Sequence, residues 1–358
     1  MKRLIFLIAP ALLAATAATA QSSSRLAAEW HVSFRDVTNS FALVDAASGT
    51  VRPATLDANA VVTWGAPIPT GLSDVSDASA GLPGASGEIL ALASVSANRV
   101  VLMDILSPAP FPRVMPNLTG VGPSGVAPIG SAPNHELLVA TRSNGGTAGR
   151  LETHHDLSAT AATLATSPHA TPFRRLQPLT SPGGGTTVAL VTGDSGANTR
   201  VELAARSGGS HTLAFKATFT NTVEFATNIR SDHNPTRLFT IGYRTGSNFA
   251  QLVEFSTPLG TASTYTNNAM FLPFAVTTVI PVTGGVGNMS DGFIAIAADG
   301  TQAAHLRINA AANGIEPPVQ TFNAEPGSFL SGLIPVPGAG LGKLGSDSPG
   351  GPTNMYHS

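Results

Sequence analysis

The stretch of sequence that decides the fold reads Gly122-Pro123-Ser124-Gly125-Val126-Ala127-Pro128-Ile129 and then, after a polar break, Leu137-Leu138-Val139-Ala140. Short apolar runs bounded by Gly, Pro, Ser and Asn are typical of β-strands joined by turns. The same kind of run recurs along the chain, at Ile89–Ala93, Thr187–Val191, Leu238–Ile241 and Phe293–Ala297. After the N-terminal region no long stretch has helical periodicity, so the sequence predicts an all-β fold.

The apolar runs recur with one period. The markers Leu90, Leu137, Val188, Leu238 and Phe293 are separated by steps of 47, 51, 50 and 55 residues. A following strand repeats at Phe41, Val100, Leu151, Val201, Leu252 and Leu306, and a preceding strand repeats at Ile129, Leu179, Ile229, Val282 and Val336. A unit of about 50 residues with four short strands has the length of a propeller blade. The sequence therefore predicts a β-propeller of four-stranded blades, in which each blade covers its neighbour.

The number of repeats favours six blades. A seventh is expected only if Lys343–Ser346 and Asn354–His357 form further strands. The segment Ser331–Gly338 matches the first strand of the other repeats, and the N-terminal strands Trp30–Arg35 and Phe41–Val44 have no evident first strand of their own. We expect these end segments to pair and close the ring, because pairing removes two exposed sheet edges.

The first 20 residues have the pattern of a secretory signal peptide. Lys2 and Arg3 precede an apolar run, and Ala18-Thr19-Ala20 is a small-residue cleavage site before Gln21. The run is shorter than the roughly 20 residues that span a bilayer. We therefore expect a signal peptide at 1–20, one propeller domain at 21–346 and a tail at 347–358. The mature chain is expected outside the cytoplasm, periplasmic or secreted, without a transmembrane segment.

The composition excludes several classes of function. Charged residues make up 11% of the chain, and without Lys2 and Arg3 there are 17 basic residues against 21 acidic ones. Nucleic-acid binding needs clustered Lys and Arg, and no basic run occurs. The chain contains no cysteine, which excludes disulfides, thiol catalysis and Cys-ligated metals. Stability must come from apolar burial and backbone pairing, for which the chain is long enough.

The repeats resemble those of FG-GAP/VCBS-type propellers. The resemblance lies in Gly122–Ile129 with Asn134–Ala140 and in Met289–Ala297, and it extends over most of residues 70–345. It implies a propeller with a calcium loop, Asp-x-Asp-x-Asp-Gly, between the first two strands of a blade. The corresponding loops here, 130–134, 181–185, 231–234 and 283–291, do not hold three acidic residues. We therefore expect no cofactor, and little effect of calcium on stability.

Glu152-Thr153-His154-His155-Asp156 is the densest cluster of metal-type ligands. On a strand, Glu152, His154 and Asp156 share one face, and three nitrogen and oxygen ligands can hold zinc or a harder cation. Neighbouring residues on one strand seldom complete a metal site. The alternative interpretation is a solvent-facing strand edge.

Gly193-Asp194-Ser195-Gly196 matches the core of a serine-nucleophile motif. A catalytic serine needs a histidine base and an orienting aspartate. The only similar histidine motif, Ala303-Ala304-His305, follows the serine instead of preceding it. Gly, Asp and Ser are also the residues that hairpin turns favour, so we interpret the motif as a turn.

The residues favour a non-catalytic propeller that binds an unidentified protein or extracellular polymer. Propellers commonly present ligands at the face built from second-to-third-strand turns and between-blade loops. The candidate binding residues in those turns are Arg142, Asn144, Asp194, Asn198, Arg244 and Asn248. Asn98, Asn198 and Asn248 also precede third strands, where the left-handed conformation of tight hairpins is expected. The alternative function is a hydrolase or lyase with a site over the central channel, built from His135, His154, His233 and Asp291.

Overall fold

The computed structural model describes most of the chain after its first 28 residues. The described residues are 29–33, 40–56, 62–84, 87–105, 107, 112–115, 118–129, 136–142, 148–155, 163–169, 172–180, 186–195, 198–207, 210–219, 224–225, 229–231, 234–256, 264–282, 292–324, 329–336, 340–346 and 354–356. The predicted signal peptide lies outside them. In the described residues, no helix is long and apolar enough to cross a membrane.

The described residues form 28 strands in six antiparallel sheets. Sheet I contains β1 (Glu29–Ser33), β2 (Ser40–Asp45), β3 (Thr50–Leu56), β4 (Val62–Trp64) and β5 (Ile68–Pro69). Sheet II contains β6 (Asp77–Gly84), β7 (Gly87–Ser94), β8 (Arg99–Asp104) and β9 (Arg113–Val114). Sheet III contains β10 (Val121–Ile129), β11 (Glu136–Arg142), β12 (Gly149–His155) and β13 (Thr163–His169).

The remaining sheets follow in chain order. Sheet IV contains β14 (Phe173–Thr180), β15 (Thr186–Ser195), β16 (Asn198–Ser207) and β17 (Ser210–Phe219). Sheet V contains β18 (Glu224–Phe225), β19 (Ile229–Ser231), β20 (Asn234–Tyr243), β21 (Ser247–Phe255), β22 (Tyr265–Val282), β23 (Gly292–Ala297), β24 (Gln302–Leu306) and β25 (Gln320–Asn323). Sheet VI contains β26 (Phe329–Val336), β27 (Gly340–Ser346) and β28 (Asn354–Tyr356).

Most consecutive strands pair within each sheet, except that β5 pairs with β3 and that β18 and β19 both pair with β20. Apolar clusters fill the spaces between one repeat and the next. Leu90 and Leu92 pack with Val44 and Val51 between sheets I and II. Comparable clusters join sheets II and III, III and IV, IV and V, and V and VI. The fold is therefore the expected all-β propeller, in which each blade buries the face of its neighbour.

Burial on both faces explains the composition of the strands. Every residue of β23 is buried, and so are the first six residues of β11. A sheet covered on both sides reads as a continuous apolar run rather than as an alternation of polar and apolar residues. That is why Leu137-Leu138-Val139-Ala140 marks a strand so clearly.

The expected number of separate blades is wrong. In the described part of the chain, five sheets have four or more strands, rather than six or seven four-stranded blades. The reason lies in β22, which is 18 residues long. It pairs with β21 from Tyr265 to Phe271 and, after a register shift, again at Val276. Its pairing with β23 also begins at Val276, so that two repeats share one sheet.

The two chain ends lie in separate sheets of the described residues. The N-terminal residues supply a sheet of their own, in which β1 pairs β2 and β2 pairs β3. The repeat pattern predicts Phe41 in the third strand of its unit. In the structure Phe41 lies in β2, the second strand, and Val51 lies in β3, the third. At the other end β26 pairs with β27, and residues 354–356, assigned to the tail, form β28 against β27. The predicted pairing of the two end segments is absent from the strand pairs of the described residues. The single domain at 21–346 stays a prediction.

Candidate functional site

One turn geometry recurs between the second and third strands of the repeats. Gly49, Asn98, Gly246 and Gly300 occupy corresponding turns and all have left-handed backbones, with φ of 63°, 51°, 77° and 69°. Glycine adopts this conformation without steric cost, and asparagine is the residue that best replaces it. The left-handed residue at Asn98 confirms the prediction for that position. In the turn before Asn248 the left-handed residue is Gly246, and Asn198 begins β16.

Each of these turns is bonded to the chain segment that leads into the next repeat. Four hydrogen bonds have this form: Thr70 N to Gly49 O (3.2 Å), Gly122 N to Asn98 Oδ1 (2.6 Å), Gly246 N to Val276 O (2.8 Å) and Leu330 N to Gly300 O (2.7 Å). The turns 45–50, 94–99, 243–248 and 297–302 and the following entry segments therefore lie together at one end of the sheets. We call this surface the turn face.

Polar side chains of both charge signs are exposed on the turn face. Asn98 and Arg99 are exposed at the start of β8, and Arg244 is exposed between β20 and β21. Asp299 is exposed as well, and its carboxylate accepts hydrogen bonds from the Thr301 amide (3.0 Å) and hydroxyl (2.8 Å). These bonds lower the pKa of Asp299 below its usual 3.8. The turn face is thus a polar surface that carries both cations and anions.

Two of the six candidate binding residues are exposed on the turn face. Arg244 lies in the turn itself, and Asn248 lies near the start of β21. Arg142, at the end of β11, is half-buried.

The other three candidates are less completely placed. Asp194 pairs with Thr199 in the β15–β16 hairpin, where Asn198 is opposite Ser195. Gly193, Asp194 and Ser195 are the last residues of β15 in that hairpin, and the turn interpretation of the motif stays a prediction. Asn144 lies outside the described residues.

The metal-type cluster on β12 is buried rather than solvent-facing. Glu152 and His154 are both fully buried, and His154 Nε2 lies 3.2 Å from Glu152 Oε2. The prediction that these two side chains share a face is correct, but the solvent-facing alternative is wrong. In a propeller the neighbouring repeat covers each sheet face, so that the central residues of a middle strand are shielded from water. Asp156 lies outside the described residues.

Hydrogen bonds surround the Glu152 carboxylate. Its donors are the Thr119 amide (3.3 Å) and hydroxyl (3.2 Å), the Gly120 amide (2.5 Å), the Thr141 hydroxyl (3.1 Å) and His154. Burial raises the pKa of Glu152, but the bonds from His154, Gly120, Thr119 and Thr141 lower it more, so that its pKa lies below 4.5. Glu152 is therefore ionised at neutral pH although it is buried.

The Glu152 contacts join sheet III to the segment that enters it. Thr119 and Gly120 belong to the segment that leads from sheet II into β10, whereas Glu152 belongs to sheet III. The approach is close, because a Cβ on Gly120 would lie 2.0 Å from Thr141 Oγ1. The carboxylate thus holds the entry segment against the sheet. Within the described ranges, no group of three His, Asp or Glu side chains is placed to hold a metal ion.

A second buried polar cluster lies between sheets III and IV. Glu136 Oε1 is 2.7 Å from His155 Nδ1, and Glu136 Oε2 is 3.7 Å from His211 Nε2. Thr153 Oγ1 is 3.1 Å from His211 Nδ1. Sequence reasoning missed this cluster because β17, which carries His211, meets β12 only through the packing of blades. The one signal in the local sequence is the alternation along β12, which places Thr153 and His155 on the face opposite to that of Glu152 and His154.

Of the four residues proposed for a hydrolase, the structure describes only His154. His154 is buried on the third strand of sheet III, two strands away from its first strand β10. His135, His233 and Asp291 lie outside the described residues. Their convergence stays a prediction.

Comparisons with known proteins identify solved structures of similar fold. A periplasmic gluconolactonase from Pseudomonas aeruginosa is 11% identical, with 92% of this chain and 88% of that chain covered and a TM-score of 0.55. A protein from Lactobacillus plantarum is 12% identical over 86% and 84% of the chains, with a TM-score of 0.49. The Dos1 propeller is 11% identical over 88% and 78%, with a TM-score of 0.45. No family model and no curated protein matches the chain, so the FG-GAP/VCBS resemblance is not confirmed.

Proposed function

We propose that the chain is an exported, non-catalytic propeller that binds a protein or a surface polymer through its turn face. The observation that carries the proposal is the repeated bond between each described turn and the next repeat, as in Gly122 N to Asn98 Oδ1. Such bonds hold the backbone of each turn, which carries the neighbouring exposed side chains, before any ligand arrives. Preorganisation of this kind lowers the entropic cost of binding.

The distribution of polar groups supports binding at this surface. The buried acidic groups Glu152 and Glu136 are engaged in contacts inside the protein, Glu152 with the entry segment of its own sheet and Glu136 with His155 and with His211 of the next sheet, where no macromolecule can reach them. On the turn face, by contrast, Arg99, Arg244 and Asn248 are exposed. Arginine is enriched among the residues that dominate protein–protein interfaces, because its planar head donates several hydrogen bonds.

The experiment compares binding by two folded variants. The purified chain is immobilised and exposed to the envelope and extracellular fractions of the producing cells, and captured proteins and glycans are quantified by mass spectrometry. The triple variant Arg99→Ala, Arg244→Ala, Asn248→Ala should lose at least about tenfold of the captured ligand, since several interface contacts are removed together. The control variant Thr212→Ala, Thr218→Ala changes exposed residues of β17 and should capture as much as the parent.

Equal capture by the parent and the triple variant would contradict the turn-face proposal. Thermal melting of each variant shows that it is folded. All three substituted side chains are exposed, so their removal should leave stability nearly unchanged.

The second candidate function is hydrolysis or lyase chemistry over the central channel. The likeness to a periplasmic gluconolactonase is the observation that favours it, and that likeness concerns the fold alone. The test is an assay of the purified chain with a gluconolactone and a panel of other lactones and esters. Hydrolysis above that of heat-denatured protein, abolished by substitution of His135, His233 or Asp291, would favour the enzyme over the binding protein.

A further inference from the structure

The first half of β22 is an outer sheet edge. Tyr265–Phe271 pairs with β21 on one side, and among the described residues no strand pairs with its other side. The pairing with β23 begins only at Val276. An edge of this kind presents unpaired backbone amides and carbonyls, which can accept another strand.

The other outer strands in the described residues carry features that discourage such pairing. Four of them are only two to four residues long: β4, β9, β25 and β28. Strand β13 contains Pro168, which cannot donate a ladder hydrogen bond. In β17 the register shifts at Lys216, which opposes no residue of β16. Short length, proline, lysine and bulges are the devices by which proteins protect sheet edges. Tyr265–Phe271 has none of them.

The segment also lies in the longest uncharged stretch of the chain. Between Glu254 and Asp291 there is no Asp, Glu, Lys or Arg. Two copies of this chain carry the same net negative charge, and they repel each other least where neither surface is charged. A contact between identical copies is therefore favoured at this edge over any other described edge.

Apolar surface accompanies the open edge. Phe271 is 68% exposed, the highest value among the large hydrophobic residues described. Its ring stands edge-to-face against Phe249, with the centroids 6.1 Å apart. Asn267 and Ala269, which share its face of the strand, are also exposed.

We propose that Tyr265–Phe271 pairs antiparallel with the same segment of a second copy, in a register centred on Asn268. This two-fold arrangement places Tyr265 opposite Phe271 and Asn267 opposite Ala269. All four side chains then lie on the same face of the joined sheet. Cross-strand aromatic pairs stabilise antiparallel sheets, and the pairing covers the exposed ring of Phe271. Sheet V then continues across the dimer.

The test introduces charged residues at the two exposed positions, Asn267 and Ala269. The mass of the parent chain, measured by sedimentation at rising concentration, should move from one copy to two. The variants Asn267→Lys, Ala269→Lys and Asn267→Asp, Ala269→Asp each place like charges opposite each other, and each should weaken the dimer at least about tenfold. An equimolar mixture of the two variants should form a mixed dimer, seen by native mass spectrometry.

The control is the variant Thr212→Lys, Thr218→Lys, which adds the same charge to exposed positions of β17. It should dimerise like the parent. A parent chain that stays monomeric at all concentrations would overturn the proposal, and so would variants that dimerise like the parent or fail to combine when mixed. Both lysine variants should have the same Tm as the parent, which distinguishes loss of pairing from loss of folding.

Discussion

Asn98 occupies a position where three other described repeats have glycine. Its backbone is left-handed, with φ of 51°, and its side-chain oxygen accepts a hydrogen bond from the Gly122 amide of the next repeat. Asparagine therefore fulfils two requirements at once, whereas glycine meets only the conformational one.

Substitution of Asn98 separates these two contributions. Asn98→Ala should lower the free energy of unfolding by about 2–3 kcal/mol, since alanine adds the strain of a left-handed backbone to the loss of the bond. Asn98→Gly should lose only the bond, at a cost of about 1 kcal/mol. Denaturant unfolding measures both values. Equal losses for the two variants would show that the backbone conformation at this turn does not matter.

Glu152 makes the stability of the protein depend on acidity. Its pKa in the folded chain lies below 4.5, so its contribution is fully present at neutral pH and is lost as the pH falls below 4.5 and through the folded pKa. Glu152→Gln should lower the free energy of unfolding at pH 7 by about 1–3 kcal/mol, because the amide cannot satisfy all the surrounding donors. It should also flatten the dependence of Tm on pH in the acid range.

The control for Glu152 is Asp299→Asn. Asp299 is exposed and its pKa is also lowered, but solvent screens its interactions. This variant should lose less stability than Glu152→Gln at pH 7. A Glu152→Gln variant with an unchanged acid profile would mean that the buried carboxylate does not contribute to acid unfolding.

At the level of elements, the sequence predicts the strands better than their assembly. Leu137–Ala140 and Phe293–Ala297 lie in β11 and β23, because strands covered on both faces must be uniformly apolar. The continuity of β22 could not be predicted, since its residues have the same composition as two strands joined by a turn. From the sequence alone, Pro273 near the middle of β22 indicates the end of one strand and the start of another.

The candidate site was predictable only in part. Alternation along a strand places Glu152 and His154 on one face. Their burial, and the contact between Glu136 and His211, depend on how neighbouring repeats stack, for which residues 75 apart in the chain give no local signal. The left-handed residue at Asn98 was predictable because tight turns favour asparagine.

Side-chain hydroxyls link the first strands of neighbouring repeats. Ser76 Oγ donates to Pro123 O (2.9 Å), and Ser124 Oγ donates to Phe173 O (2.8 Å). Ser124→Ala should lower the free energy of unfolding by about 1 kcal/mol, since a buried hydrogen bond is removed. Ser48→Ala, on an exposed turn, should change it by less than about 0.5 kcal/mol. Calorimetric Tm values for the two variants check the difference, and equal values would contradict it.

At the scale of the whole molecule, the C-terminal sheet VI covers an apolar cluster of sheet V. Leu330 of β26 packs with Ile294, Ile296, Ala303 and Phe322 of sheet V. Deletion of residues 329–358 should expose this cluster and lower Tm by several degrees or more, because buried apolar surface stabilises by about 25 cal/mol per Å². Deletion of 347–358 removes only the outer strand β28 and should cost much less. Similar losses for both deletions would show that β28, rather than the inner strand, determines the stability of this end.

The shared strand β22 has a consequence for how the gene can change. A propeller can gain or lose a repeat when the chain is cut and rejoined in the loops between sheets, as between β9 and β10. Within β22 there is no such loop, since Phe271 and Val276 are five peptide units apart in one continuous strand. The two repeats of sheet V should therefore be duplicated, deleted or exchanged between relatives only as a pair.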